Sequence, residues 1–323
     1  MKKLFQEVQY SILIYAILLL IIIWASYGIF SDEKEPEAVK ISIIVEDSNH
    51  ARWTTFRLGL ETAARDKKVD LNYISTTEFQ NLEDEWGLVK NVKDSSDGII
   101  LAPKMREGMD EYYEPLSWEI SLGFVESDVK KGEQVDDNII VIVPDYLSIA
   151  DHLFTQLKDD FGQKLKGKKV VFYSVREEQL AISDLWKALV RKLETEGCED
   201  FSLINYRSVE DKKAFRSADI LIGLDDMSLL YLAKEKDLGE AKKEKVYGIG
   251  VSESTVYYLD KGIIDGMVVI DDFNMGYESV SRIAETIRNK YSEQKGVIIN
   301  DYPIRPDEVH DPEIENLLFP VVQ

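Results

Sequence analysis

The chain contains few cysteines and few basic residues for its length. Its 323 residues include a single cysteine, Cys198, so no disulfide can form within the chain. Lys and Arg number 39 against 60 Asp and Glu, which gives a net charge of −21. Because nucleic acids are bound through cationic surfaces, this balance argues against a nucleic-acid partner. It also disfavours acidic substrates and anionic lipid surfaces as partners of the polar part of the chain.

Motifs for catalysis and for cofactor binding are also missing. The sequence has no G-x-S-x-G, no H-E-x-x-H and no phosphate-binding G-x-x-x-x-G-K-[ST] pattern. Its His, Cys, Asp and Glu residues show no spacing that suits zinc. We therefore predict no catalytic residue, no metal and no cofactor. A hydrolase built on two carboxylates stays open as an alternative, since the sequence does not fix the distance between any pair of them.

One long apolar run lies near the N-terminus. Val8 to Phe30 carries no charge and is long enough to span a bilayer as a helix. Lys2 and Lys3 precede it and acidic residues follow it, which places the N-terminus in the cytoplasm and the rest of the chain outside. The run is longer than the core of a signal peptide, so we expect an uncleaved anchor within residues 1–30. Residues 31–38 then form a short charged linker.

The stretch from Val39 to Arg65 predicts a strand, a polar loop and a helix. Its first residues are apolar and largely β-branched, and apolar residues recur at helical spacing from Phe56 onward. In open parallel sheets, ligands bind beyond the carboxyl ends of the strands, beside helix N-termini. We therefore expect ligand contacts between Glu46 and Trp53.

Strands and helices alternate through the rest of the chain, which predicts an α/β fold with parallel sheets covered on both faces. Two β/α series of similar size meet near Pro144, and we expect two doubly wound lobes with a ligand in the cleft between them. The further strands are predicted at residues 69–74, 97–103, 120–125, 138–143, 169–173, 201–205, 219–224, 246–251 and 267–270. Among the helices, one is predicted at residues 78–92 and the last long one at residues 275–291.

Five motifs in order resemble the type I periplasmic binding proteins, the branch that contains ribose-, galactose- and xylose-binding proteins and the ligand domains of LacI-type repressors. They are VEDSNHARW at 45–53 followed by Gly59, DGIILAP at 97–103, GLDDM at 223–227, VYGIG at 246–250 and DDFNMG at 271–276. The resemblance implies two Rossmann-like lobes joined by a three-segment hinge. The N-terminal lobe is then residues 39–142 plus 271–299, and the C-terminal lobe is residues 143–270 plus 300–323. The membrane helix stands where repressors have a helix-turn-helix, which removes the DNA-binding alternative.

The resemblance also implies ligand-binding residues in the first loop. Trp53 falls on an aromatic stacking position, and His50 falls on a polar contact beside it. From the residues alone, Trp53 is either a platform on which a sugar ring stacks or a core residue packed in the first helical turn. The side chain of Arg52 lies either in the cleft or on the surface.

Carboxylates at strand ends are the next candidates. Glu46 and Glu126 follow strands, where a carboxylate can accept two strong hydrogen bonds from ligand hydroxyls. Asp225 matches the family's Asn or Asp at the end of a strand in the second lobe. We expect Asp226 to cap a helix that begins at Met227, and Asp271 with Asp272 to form a turn and cap.

Three departures from the family concern the ligand. The family's arginine is absent from the helix at 184–189 (DLWKAL), Ser252 stands where an Asp is usual, and Ile270 stands where a Gln is usual. We count Ser252 as a candidate contact and Arg176, in a loop of the second lobe, as a replacement for the missing arginine. These departures indicate a different ligand or a lost binding function.

The predicted function is a membrane-anchored, extracytoplasmic substrate-binding protein that closes on a small polar, sugar-like molecule. Its partner is a membrane sensor histidine kinase, as for some relatives of xylose-binding proteins, or the permease of an ABC transporter. The alternative is a structural or interaction module that kept the fold and lost the ligand.

Overall fold

The computed structural model describes residues 15–22, 38–77, 79, 81–103, 113, 115–117, 119–126, 138–175, 180–205, 217–239, 243–289 and 296–320. The chain divides into two units, Met1–Ala38 and Val39–Gln323. Within the first unit, residues 15–22 are helical. Across the described ranges, no helix combines the length and the apolar character needed to cross a bilayer. The predicted span from Val8 to Phe30 lies outside the described residues except for 15–22.

Two six-stranded sheets form the unit Val39–Gln323. The first has the strand order β11-β5-β4-β3-β1-β2, with all pairs parallel. Its strands are β1 (Val39–Val45), β2 (Val69–Tyr73), β3 (Gly98–Ala102), β4 (Ser121–Val125), β5 (Ile139–Pro144) and β11 (Val297–Ile299). The second has the order β12-β10-β9-β8-β6-β7, and only β12 runs antiparallel to its neighbour. Its strands are β6 (Lys169–Ser174), β7 (Asp200–Asn205), β8 (Ile220–Gly223), β9 (Lys245–Ile249), β10 (Gly266–Ile270) and β12 (Asp301–Ile304).

Helices cover both faces of each sheet, because the strands are apolar on both sides. The helices are α1 (Thr54–Lys67), α2 (Leu82–Val92), α3 (Tyr146–Phe161), α4 (Leu180–Thr195), α5 (Asp226–Asp237), α6 (Glu253–Asp260), α7 (Asp272–Arg288) and α8 (Pro312–Leu318). On the first sheet, α1 and α7 share one face and α2 covers the other. On the second sheet, α3 and α4 share one face, and α5, α6 and α8 lie on the other. The predicted α/β fold with two lobes is confirmed.

Within the described residues, the chain passes between the two sheets at three places. It crosses between β5 and α3 at Asp145, between β10 and α7 at Asp271, and between β11 and β12 at Asn300. The Asp271 N–H donates to the Asn300 carbonyl at 3.1 Å, so the second and third crossings are held to each other.

A pair of glycines brings α1 and α7 into close contact. A Cβ atom at Gly59 would lie 2.0 Å from the Phe273 carbonyl oxygen, and one at Gly276 would lie 2.1 Å from the Phe56 carbonyl oxygen. Only hydrogen fits at either position, so the two backbones touch directly. This contact fixes the N-terminal end of α7 beside the loop that follows β1.

Several element boundaries differ from the predictions for reasons of capping. The helix predicted from residue 78 begins at Leu82, because the Asn81 side chain accepts from the Asp84 N–H and caps it. The last long helix, predicted from Met275, begins at Asp272 with Asp271 as its cap. The short strands β11 and β12 and the final helix α8 were not predicted.

Candidate functional site

A cleft lies where the carboxyl ends of the two parallel sheets face each other. The cavity between them is about 40 Å³, room for only a few water molecules, so the cleft is nearly closed in this conformation. Both lobes contribute to its lining, together with Tyr146 at the first crossing. The lining residues are Arg52, Glu126, Tyr146, Ile182, Leu224, Asp225, Asp226, Met227, Ile249, Val251 and Ile270.

The loop after β1 is held in place by side-chain hydrogen bonds. The Ser48 N–H donates to Thr76 Oγ1 at 3.0 Å, and the Thr76 N–H donates to Ser48 Oγ at 2.9 Å. His50 Nδ1 accepts from the Arg52 N–H at 3.2 Å and so begins the short 3-10 helix Ala51–Trp53. Glu46 Oε1 accepts from the Phe79 N–H at 3.1 Å. His50 and Glu46 therefore shape the loop, and neither is among the cleft-lining residues.

Arg52 is the central cation of the cleft. Its Nη2 atom lies 2.7 Å from both carboxylate oxygens of Glu126, and the two side chains are only 10% and 12% exposed. The guanidinium also covers the Trp53 ring, with Cζ 3.8 Å from the ring centroid. Burial alone would lower the pKa of Arg52, but the nearby Glu126, Asp272 and Asp226 charges raise it above its ordinary value. Arg52 thus stays charged, and its side chain contacts Glu126 and Trp53 of the same lobe.

Trp53 lies in the core in this conformation. Its side chain is 2% exposed, it packs against Phe56, and its indole N–H donates to the Glu46 carbonyl at 3.0 Å. This arrangement corresponds to the core-packing alternative. Its stacking on a ligand stays a prediction, and it requires Arg52 to move off the ring.

Glu126 has a backbone conformation that is rare for a residue with a side chain. Its φ is +57°, in the left-handed region, and it follows β4 directly. The Glu126 N–H donates to the Ile142 carbonyl at 3.1 Å, which holds the turn in place. Such conformations persist where the surrounding structure enforces them, and they cluster at functional sites. Here the turn aims the carboxylate at Arg52.

Asp225 caps the helix on the second-lobe side of the cleft. Its Oδ1 accepts from the Ser228 N–H at 2.8 Å, and its Oδ2 accepts from Ser174 Oγ and from the Val175 N–H at 2.8 and 2.9 Å. The prediction that Asp226 caps this helix is therefore wrong. The helix starts one residue earlier than expected, and Asp226 is its first residue.

Asp226 instead connects β8 to the loop after β9. Its Oδ1 accepts from the N–H groups of Val251 and Ser252 at 2.8 and 2.9 Å, and from Thr255 Oγ1 at 2.9 Å. Its Oδ2 is buried and has no hydrogen-bond partner among the described residues. Ser252, a predicted ligand contact, is buried as the cap of α6. Asp226 lines the cleft; Ser252 does not.

Asp271 and Asp272 differ although they are adjacent. Asp271 caps α7, accepting from the Asn274 N–H at 3.0 Å and from Asn274 Nδ2 at 2.6 Å. Asp272 is buried, and its Oδ1 has no hydrogen-bond partner among the described residues. Burial and the nearby Glu126 charge raise the pKa of Asp272 well above its ordinary value, although Arg52 acts in the opposite direction. The prediction of a turn and cap is right for Asp271 and wrong for Asp272.

The structure thus brings three of the predicted residues together in the cleft, namely Arg52, Glu126 and Asp225. Arg176 lies outside the described residues. Sequence reasoning missed Asp226, which lines the cleft, and Asp272, which is buried behind the lining near enough to interact electrostatically with Arg52, Glu126 and Asp226. Each is the second residue of an Asp-Asp pair that follows a strand, and this repeated pattern is the signal that could have identified them.

Comparison with protein-family models and with curated protein sequences gave no match. Solved structures share the fold. A carbohydrate transporter solute-binding protein from Agrobacterium radiobacter, in complex with D-arabinose, superposes with a TM-score of 0.74 at 15% identity, over 87% of this chain and 99% of that one. GanP, a glucose-galactose binding protein from Geobacillus stearothermophilus, gives 0.69 at 19% identity, over 85% and 100%. A chain of the XylFII-LytSN complex gives 0.70 at 14% identity, over 85% and 100%. The architecture of the type I periplasmic sugar-binding proteins is therefore confirmed for this chain.

Proposed function

We propose that this chain is a binding protein whose two lobes close on a small, polar, sugar-like ligand. The observation that carries the proposal is the shared lining of the cleft, with Arg52 and Glu126 from the first lobe and Asp225 and Asp226 from the second. A ligand that contacts both lobes stabilises their closed arrangement, because only that arrangement offers both sets of contacts. The solved sugar-binding proteins with the same fold support a sugar as the ligand class and a binding role rather than an enzymatic one.

The proposal places the binding unit outside the cytoplasm, held to the membrane by the apolar run from Val8 to Phe30. The lysines before that run and the acidic residues after it support this orientation. The linker of residues 31–38 is too short to let the binding unit move far from the bilayer, which suits a partner fixed in the membrane. We favour a sensor histidine kinase over an ABC permease as that partner, and the XylFII-LytSN complex supports assembly of this fold with a second protein.

Labelling of a single introduced thiol tests this orientation. Lys164 is exposed, and the native Cys198 is fully buried, so Lys164→Cys adds an accessible thiol without a labelled background. A membrane-impermeant maleimide is expected to label Lys164→Cys in intact cells. Labelling that appears only after the cells are permeabilised would contradict the proposed orientation.

Thermal unfolding of the purified chain against a panel of pentoses, hexoses and hexosamines tests ligand binding. A sugar at 100 times its Kd stabilises the folded chain by about 2.7 kcal/mol, which corresponds to a rise in Tm on the order of 5–10 °C. Glu126→Gln is expected to reduce that rise. Asp307→Asn, on an exposed turn remote from the cleft lining, is the matched control and keeps it. No rise with any sugar would contradict the proposal.

A second candidate function is an interaction module that no longer binds a ligand. The Arg52 guanidinium covers Trp53 and holds Glu126, so three predicted ligand residues bind one another. Under this alternative, Arg52→Ala exposes the indole but creates no sugar binding. Under the binding proposal, Arg52 moves aside for the ligand, and the wild-type chain responds to at least one sugar of the panel.

A further inference from the structure

Two buried carboxylates at the cleft each retain an oxygen without a partner. Asp226 and Asp272 are both 6% exposed. Among the described residues, no hydrogen-bond donor reaches Asp226 Oδ2 or Asp272 Oδ1. A buried polar atom without a partner is costly, and native proteins rarely keep one without a functional reason. Here two such atoms belong to side chains close enough to interact electrostatically with each other and with Arg52.

The charges around these atoms do not balance. Four carboxylates besides Glu126 cluster at the strand ends, and among the described lining residues Arg52 is the single cation. One guanidinium nitrogen of Arg52, Nη2, contacts both carboxylate oxygens of Glu126. Asp225 and Asp271 are satisfied as helix caps, with N–H and hydroxyl donors on their oxygens. Asp226 and Asp272 are therefore the two carboxylates that lack a cationic partner of their own. Burial raises the pKa of Asp272 and favours its protonated form, and a cation bound beside it would favour the ionised form.

A positive group on the ligand would satisfy both the hydrogen bonds and the charge. Hydroxyl groups of a neutral sugar can donate to a carboxylate, but they do not neutralise it. An ammonium group supplies three donors and a full charge, and its hydrogen bonds to carboxylates are roughly twice as strong as neutral ones. A metal ion is a weaker candidate, because no three His, Cys, Asp or Glu side chains of the described ranges are arranged to hold one.

We propose that the cleft selects an amino sugar, whose ammonium group binds between Asp226 and Asp272, over the neutral sugar of the same shape. This inference rests on the proposed sugar-binding function and names the class of sugar. In the complex, Asp226 Oδ2 and Asp272 Oδ1 accept from the ammonium group. Arg52 moves off the Trp53 ring, and Arg52 and Glu126 bind the remaining polar groups.

Calorimetric titration of the full chain with matched sugars tests the proposal. The pairs are D-glucosamine against D-glucose and D-galactosamine against D-galactose, at a slightly acidic pH that keeps the amines protonated. N-acetyl-D-glucosamine is the control that keeps the nitrogen and loses the charge. At least one amino sugar is expected to bind ten-fold or more tightly than its neutral partner and its N-acetyl form.

Two variants locate the preference within the cleft. Asp226→Asn keeps an oxygen for the three bonds that Oδ1 accepts and replaces Oδ2 with an amide. Asp272→Asn removes the second carboxylate and disturbs no hydrogen bond at Oδ1. Each variant is expected to reduce the preference for the amino sugar to within about three-fold of parity. Asp70→Asn, on the exposed edge strand β2, removes one charge elsewhere and is expected to leave the preference unchanged.

The outcomes separate this inference from the proposed function. If neutral sugars bind as tightly as amino sugars, the preference for an ammonium group is wrong and the sugar-binding function stands. A preference that survives in both Asp226→Asn and Asp272→Asn also overturns the inference. If neither series binds, the inference and the sugar-binding function both fail.

Discussion

Replacing Arg52 should destabilise the fold more than replacing its partner Glu126. Arg52→Leu leaves the Glu126 carboxylate without its guanidinium and removes the cation that faces Asp226 and Asp272. Breaking a buried pair in this way costs about 3–5 kcal/mol. Glu126→Gln removes one carboxylate near Asp272 and leaves Arg52 beside two others, so we expect a loss of about 1–2 kcal/mol. Urea-induced unfolding followed by circular dichroism measures both changes.

The double variant and an exposed pair supply the controls. Arg52→Leu combined with Glu126→Gln is expected to cost less than the sum of the single changes, because the second change removes the carboxylate that the first one left behind. Lys93 and Glu119 form a 3.0 Å pair whose side chains are 32% and 65% exposed, so Lys93→Leu should leave the free energy of unfolding nearly unchanged. If Arg52→Leu costs no more than Glu126→Gln, the charge balance described for this cleft is wrong.

Three further predictions concern packing, protonation and thiol access. Gly59→Ala and Gly276→Ala should each lower the free energy of unfolding by about 1–3 kcal/mol, since α1 and α7 must move apart. The control is Gly87→Ala, whose added methyl group meets no atom within 4 Å. It should raise the free energy of unfolding by up to about 1 kcal/mol in the same urea assay. Asp272 holds its proton more tightly in the folded chain than in the unfolded chain. As pH rises above about 3.9, the wild type should therefore lose stability relative to Asp272→Asn, at about 1.4 kcal/mol per pH unit until the pKa of the folded chain is passed. A difference in stability that does not change with pH would contradict this. Cys198 is fully buried and burial raises the pKa of its thiol, so a thiol reagent should label it only as fast as the chain unfolds, and rapid labelling of the native chain would refute this placement.

The fold could be predicted from the sequence because apolar strands and amphipathic helices alternate regularly along the chain. The segment from Val39 to Arg65 shows this, since its strand, polar loop and helix all occur where the pattern placed them. Short elements carry too little pattern to be predicted. β11 has three residues and β12 has four, and each pairs with a strand more than 30 positions away along the chain.

The candidate site could be predicted only in part from the sequence, because its side-chain partners come from positions far apart in the chain. The direction of Arg52 depends on Glu126, 74 residues later, and on the left-handed turn that aims this carboxylate. In the pairs at Asp225 and Asp271, either residue satisfies the capping preference, so sequence alone does not decide which carboxylate caps and which enters the cleft. The structure decides it, since the first Asp of each pair caps and the second is buried.

The crossing at Asp271 has a mechanical consequence. β10 belongs to the second sheet and ends at Ile270, whereas α7 packs on the first sheet and begins at Asp272. A single residue, Asp271, therefore joins the two lobes at this point. If the lobes close on a ligand as proposed, we expect the backbone dihedral angles of Asp271 to take up the rotation, as those of hinge residues do. Asp272 comes next in the chain, so the same rotation would also reorient the Asp272 carboxylate. The movement of the lobes and the orientation of the Asp272 carboxylate would then be coupled through the backbone of Asp271.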